Sequence, residues 1–215
     1  MTCRRGGASG RPIFARGYER LSRALDARGV VEHRRALLRG LVGHVIEVGA
    51  GNGRNFAHYP QTVAHVLAVE PEPYLRERAR EASRQARVPV RVVAGLADDL
   101  PADDATFDAA VASLVLCSVP DQQSALRELA RVVRPGGQLR FYEHVEASER
   151  WLRRIQRAVD LVWPHVSGGC HVSRDTAAAI EAAGFEITDL DAFRFAPSPW
   201  MLPASPHVLG VAERS

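Results

Sequence analysis

The chain has 215 residues, of which 46% are hydrophobic and 25% charged, and a net charge of +3. That suffices for one domain with a sizeable core, and its longest apolar runs fall well short of the roughly 20 residues that cross a bilayer. All 28 basic residues are arginine and alternate with acids along the chain, a pattern of solvated surface that speaks against a nucleic-acid footprint.

Residues 1–12 read as a disordered leader without the apolar stretch of a secretory signal. Cys3, Cys117 and Cys170 form no C-x-x-C pair and leave an odd count, which fits reduced thiols and a cytoplasmic location. Residues 13–215 read as a single domain. Phe14 to Leu41 predicts one or two helices with Leu21, Leu25, Leu37, Leu38 and Leu41 inward and a break at Gly29.

Next comes His44-Val45-Ile46-Glu47-Val48, an apolar run ending in Gly49, Gly51 and Gly53, with helix-forming sequence continuing to about Tyr59. This predicts a buried strand, a tight turn and a helix start, with a turn whose missing Cβ atoms let a ligand approach bare backbone. A dinucleotide site would place a third glycine where Arg54 stands. Val63–Val69 is a second strand, and Glu70 follows the turn by about 20 residues, where a carboxylate can accept both hydroxyls of a ribose. Glu70-Pro71-Glu72-Pro73 opens a helix with Leu75, Ala79, Ala82 and Ala86 on one face. Val90–Ala94 is a third strand, followed by the acidic turn Ala97–Pro101.

Phe107–Leu116 is nearly continuous apolar sequence, as a strand covered on both faces requires, and it ends at Cys117-Ser118-Val119-Pro120. Asp121 is the expected N-cap of a helix that Pro135-Gly136-Gly137 terminates, and Gln138–Glu143 is a fifth strand. Strands alternating with helices predict an α/β, doubly wound, mostly parallel sheet with helices on both faces. Ligands of such sheets lie at the carboxyl ends of the strands. Gly49–Gly53, Glu70, Asp98, Ser113–Cys117 and Glu143–His144 all fall at that edge.

Beyond it, Trp151, Leu152, Ile155, Val159, Val162 and Trp163 form a helical stripe opposed by Arg150, Arg153, Arg154 and Arg157. Such a helix can lie on a membrane, but the usual arrangement packs its stripe on its own domain, and that is the expectation here. A glycine-bearing loop, His165–His171, leads to a short helix capped by Ser173 and ended by Gly184. Phe185–Phe195 and His207–Ala212 are further strands joined by a loop at Pro197–Pro206.

The pattern Glu47-x-Gly49-x-Gly51-x-Gly53 with Glu70 resembles motif I and the following acidic residue of class I S-adenosylmethionine (SAM) methyltransferases. Leu114-Val115-Leu116-Cys117-Ser118-Val119, Phe141-Tyr142-Glu143-His144-Val145, His165 through Cys170, and Pro206-His207-Val208-Leu209-Gly210 are similar to the narrower methyltransferase-like family of small-molecule (alkyl) thiol S-methyltransferases. The resemblance implies a seven-stranded sheet with its last strand antiparallel, SAM as methyl donor, S-adenosylhomocysteine as product and a small-molecule thiol as acceptor. It divides the domain into N-terminal helices (13–43), a SAM-binding core (44–145) and a substrate-side cover with the last strands (146–215). It assigns cofactor contacts to Glu47, Gly49, Ala50, Gly51, Asn52, Gly53, Asn55, Glu70, Pro71, Ala97, Asp98, Ser113 and Leu114, with Asp98 on the exocyclic amine of adenine and Tyr18 over the methionine end. Cys117, Glu143 and Cys170 would line the acceptor pocket. Animal members carry an N-terminal hydrophobic anchor where this chain has a polar, arginine-bearing leader, so no transmembrane segment is expected.

The reactive form of such an acceptor is the thiolate, and a free thiol has a pKa of about 8.5, so a base or cation assists. His144 at the active edge is the first candidate and His165 the second. Transfer needs no covalent enzyme intermediate, which makes Cys117 a pocket wall. His165, Cys170 and His171 have no fourth ligand at a familiar spacing, so no metal is expected. Two other functions share the same cofactor half: N- or O-methylation of a small metabolite, and SAM binding without catalysis.

Overall fold

The computed structural model describes residues 12–215. Of the expected leader, residues 1–11 lie outside the described residues and Pro12 already heads a helix. Helix α1 (Pro12–Leu25) and helix α2 (Val31–Leu38) flank a wide turn in which Gly29 takes φ +115°, the expected break. Seven strands follow: β1 (Gly43–Val48), β2 (Val63–Val69), β3 (Val90–Val93), β4 (Phe107–Ser113), β5 (Val133–His144), β6 (Phe185–Arg194) and β7 (Pro206–Arg214). Their order is β3-β2-β1-β4-β5-β7-β6, all parallel except β7, which runs antiparallel to both neighbours. Helices α3 (Pro73–Ser83), α4 (Gln122–Val132), α5 (Arg150–Val159), α6 (Trp163–Val166) and α7 (Thr176–Ala182) complete the chain.

The strand period of two divides the core into two layers. Ile46, Val48, Leu67, Leu139 and Phe141 pack with Leu126 and Leu129 of α4 and Ile180 of α7. Val45, Val66, Val111 and Tyr142, on the opposite face, pack with Leu37 and Leu38 of α2 and Ala79 of α3. The doubly wound fold is therefore as expected, and β1 and β4 sit at its centre.

Several local expectations are corrected. The helix after the glycine turn is only a 3-10 turn, Phe56–His58. The fourth strand stops at Ser113, because Leu114 turns into the left-handed region (φ +57°) and the next three backbone N–H groups point at a side chain. α4 runs into β5 at Val133, with the Pro-Gly-Gly segment absorbed by an irregularity in the β4–β5 register. Asp175, not Ser173, caps α7 by accepting from Ala178 N–H, while Ser173 binds Asp160.

The amphipathic stripe departs furthest. Leu152 is buried and Trp163 packs against the cluster of Cys117, Cys170 and Val172, but Trp151 is 53% exposed, Ile155 40% and Val162 64%. What holds α5 is polar: the buried Gln156 accepts from Ala147 N–H and donates to the carbonyls of Val145, Val172 and Pro203. Helical periodicity reports a stripe but not whether the fold supplies its partner. No described helix is long and apolar enough to cross a membrane.

Candidate functional site

The glycine turn joins β1 to the 3-10 turn at the carboxyl edge of the sheet. Gly49 takes φ +61°, and a Cβ there would stand 2.3 Å from Val115 Cγ2, so only glycine lets the β4 turn close over it. Gly51, at φ +56°, lies under the ring of Tyr18, whose Cε1 would be 3.4 Å from an added Cβ. Tyr18 comes from α1, which is tied down where Asn52 Nδ2 donates to Ser22 Oγ at 3.0 Å.

The two carboxylates of the motif have different surroundings. Glu47 is buried on β1 and accepts from Asn55 Nδ2 (2.9 Å) and Tyr59 Oη (2.7 Å). Burial raises its pKa to about 7 against those hydrogen bonds. Glu70, at the end of β2, accepts from Gly51 N–H (2.7 Å) and Glu72 N–H (2.9 Å), one on each oxygen. Burial raises its pKa too, against the two backbone donors. Each Glu70 oxygen keeps a second lone pair for a diol. Pro71 and Ala97 are half-buried beside this end, and Asp98 is exposed on the loop after β3.

A buried arginine links the two halves of the site. Arg34 of α2 binds Asp26 (3.1 Å), Asn55 Oδ1 (2.9 Å) and Ser113 Oγ (3.4 Å), and Asp26 also pairs with Arg54. Sequence reasoning missed Arg34 and Asp26. The available signal was an arginine at the i−3 and i−4 positions from Leu37 and Leu38, on the apolar face of a helix.

Near the end of β5, Glu143 is fully buried and its carboxylate accepts from the N–H groups of Val115 (2.9 Å), Leu116 (2.9 Å) and Cys117 (3.1 Å). It therefore shapes the β4 turn. That turn presents Cys117 to Cys170, with sulfurs 3.5 Å apart, and His144 Nδ1 lies 3.6 Å from the first and 3.4 Å from the second. Cys170 arrives on the glycine loop, where Gly169 takes φ +99° and a Cβ would meet the Ser118 carbonyl at 2.8 Å. Cys170 is held well below the usual thiol range by the Cys117 hydrogen bond and, against burial, by His144. Cys117 is correspondingly pushed up by that hydrogen bond and by burial. Burial acts against the charged form of His144, yet Cys170 and Glu143 outweigh it and raise its pKa.

His144, Cys117 and Cys170 are thus brought together, whereas His165 is exposed on α6, outside this group. The ring of His207 lies tilted beside that of His144, with centroids 4.5 Å apart, and burial with the His144 charge lowers the His207 pKa to about 3. The Tyr142 hydroxyl is buried with no hydrogen-bond partner in the structure. Burial raises its pKa, with the Arg34 charge acting the other way. Sequence reading had not singled it out. An orphaned hydroxyl, a diol-ready carboxylate and a glycine cradle fit a bound SAM.

The seven-stranded fold is that of a class I SAM-dependent methyltransferase. A family model described as a methyltransferase domain matches residues 46–141. Thiol S-methyltransferase TMT1B of Mus musculus is 36% identical over 183 residues, 82% of this chain and 74% of that protein. Thiol S-methyltransferase TMT1A of Homo sapiens is 35% identical over 174 residues, 79% of this chain and 70% of that protein. Among solved structures, a SAM-dependent methyltransferase from Thermotoga maritima is similar at TM-score 0.68 and 23% identity, covering 94% of this chain and 98% of that one. The chain belongs to the SAM-dependent methyltransferases, in the family that includes TMT1A and TMT1B. Family and fold imply the use of SAM.

Proposed function

We propose that the protein methylates the sulfur of a small-molecule thiol. The observation that carries this reading is the similarity to relatives named thiol S-methyltransferases across about four-fifths of the chain. The group of Cys117, Cys170 and His144 at the carboxyl edge supports it, because the soft, buried side chains of the two cysteines suit a sulfur nucleophile.

Bound SAM supplies a sulfonium methyl group. In this reading Glu70 holds the ribose, the turn at Gly49, Ala50, Gly51, Asn52 and Gly53 receives the amino acid, and Tyr18 covers the methionine end. Glu47, Asn55, Ser113 and Arg34 brace that turn. Pro71, Ala97, Asp98 and Leu114 complete the cofactor wall, with Asp98 on adenine. Transfer neutralises the charge on sulfur, so a dry pocket does not oppose it. Orienting acceptor and methyl in line contributes roughly 7–11 kcal/mol. Cys117, Glu143 and Cys170 form the acceptor wall, and His144, ahead of His165, assists ionisation of the thiol.

The test is incubation with SAM and a mixed panel of alkyl thiols, amines and phenols, with products identified by mass. Methylated thiols are expected. Efficient methylation of amines or phenols with every thiol ignored would overturn the sulfur assignment and leave the methyltransferase class intact.

A further inference from the structure

Cys117, Cys170 and His144 come from three places in the chain: the turn after β4, the glycine loop before α7 and the end of β5. Their ligating atoms all lie within 4.8 Å of one another. The sulfurs are 3.5 Å apart and the imidazole Nδ1 stands 3.6 and 3.4 Å from them. A tetrahedral zinc with Zn–S about 2.3 Å and Zn–N about 2.0–2.1 Å requires S to S of about 3.8 Å and S to N of about 3.5 Å. The triangle formed by these three side chains matches one face of that tetrahedron to within about 0.3 Å.

We propose that Cys117, Cys170 and His144 are the three protein ligands of a zinc ion whose fourth position takes the sulfur of the acceptor thiol. Two thiolates and an imidazole are a donor set that selects zinc over magnesium, calcium or manganese. Three protein ligands and an open position are the arrangement of catalytic zinc sites, whereas structural sites close with a fourth residue. No fourth ligand joins the group among the described residues. The neighbouring carboxylate, Glu143, is committed to three backbone N–H groups, two of them buried, and cannot swing round without orphaning them. Gly169 has its physical reason here as well, since only a residue without Cβ brings Cys170 this close to the β4 turn. A disulfide fits less well: a bond of about 2.05 Å needs the sulfurs to close by about 1.5 Å and breaks the three-way spacing to His144.

This assignment deepens the thiol reading and rests on it for the identity of the fourth ligand. The acceptor R–SH gives its proton to water as it enters the fourth position, since a coordinating thiol is deprotonated outright. A sulfur lone pair then forms the new S–CH3 bond while the methyl–sulfonium bond breaks, its electron pair remaining on the sulfur of S-adenosylhomocysteine. The neutral thioether is a poor ligand and leaves, and zinc stays divalent throughout. His144 serves here as a ligand, which is how it promotes ionisation without being the base.

The experiment uses the whole protein, grown with added zinc and purified without chelator. Elemental analysis should find close to one zinc per chain. After chelator dialysis, cobalt(II) should give a thiolate-to-metal absorption band, and a small alkyl thiol should alter that spectrum while its methyl thioether does not. Cys170→Ala and His144→Ala should each weaken cobalt uptake at least tenfold while SAM binding by calorimetry confirms that they fold, and Cys3→Ser should leave uptake unchanged. Absence of the band, uptake unaffected by Cys170→Ala and His144→Ala, or a wild-type protein that holds only a Cys117–Cys170 disulfide would overturn the site. Thiols methylated by a zinc-free protein would sink the metal and keep the acceptor; zinc bound with no thiol methylated would keep the metal and sink the acceptor.

Discussion

Glu47 and Glu70 lie 23 positions apart in the chain and close together at the edge of the sheet, yet their partners give them different work. The Glu70 oxygens each have one backbone donor and room for another, so Glu70→Ala removes the acceptors for a ribose diol. Hydrogen bonds to a charged group contribute about 1.5–3 kcal/mol each, and calorimetry on the folded variant should show SAM binding weakened at least tenfold. Unchanged affinity would remove Glu70 from the site. Glu47 is enclosed by Asn55 and Tyr59, and its pKa of about 7 stands above the ordinary 4.5. The folded state therefore binds this proton more tightly than the unfolded chain. The stability it contributes is complete below about pH 4.5 and is lost as pH rises through 7; at about 1.36 kcal/mol per pH unit the loss is on the order of 3 kcal/mol. Urea denaturation of wild type and Glu47→Gln across pH 5 to 8 should show the wild type losing ground to the variant by that order. A constant difference would mean that Glu47 is ionised throughout.

The turn between β4 and α4 is an element built around one side chain. Leu114 sits at φ +57°, an uncommon conformation for a bulky residue, and the three N–H groups that follow converge on Glu143. Glu143→Ala would leave three backbone donors unsatisfied, of which the buried Leu116 and Cys117 N–H groups cost about 1–3 kcal/mol each. For a chain of this size a loss of about 3 kcal/mol or more lowers the melting temperature by roughly 6–12 °C, which calorimetry can read. Glu143→Gln keeps one acceptor oxygen and should lose less. Equal melting temperatures for all three proteins would mean that the turn holds itself.

Across the whole surface, the exposed Trp151, Leu161, Val162, Val166 and Trp200 belong to α5, α6 and the neighbouring segments. Because α5 is anchored through Gln156, the double substitution Trp151→Ser with Val162→Ser should change stability by no more than about 0.5 kcal/mol per site and leave SAM affinity intact. A loss of several kcal/mol in urea denaturation would show that the stripe packs inward, as its periodicity suggests.

What the sequence by itself determined is what depends on neighbours along the chain. Positive φ at glycines, the two-residue period of strands and a capping Asp121 all act within a few residues, so the glycine turn, most strand positions and the doubly wound plan were legible. The carboxyl-edge rule then collected Gly49–Gly53, Glu70, Asp98, Ser113–Cys117 and Glu143–His144 without coordinates. The tertiary structure alone decided the pairings across long separations. Arg34 reaches Asn55 and Ser113, Glu143 ends β4 early by capturing amides 26 to 28 residues upstream, and Gln156 takes over the task expected of the apolar stripe. Cys117, His144 and Cys170, separated by 27 and 26 residues, carry no local pattern at all. Their meeting depends on β4 lying beside β5 and on a loop with no Cβ at Gly169, and such contacts become visible only once the strand order is fixed.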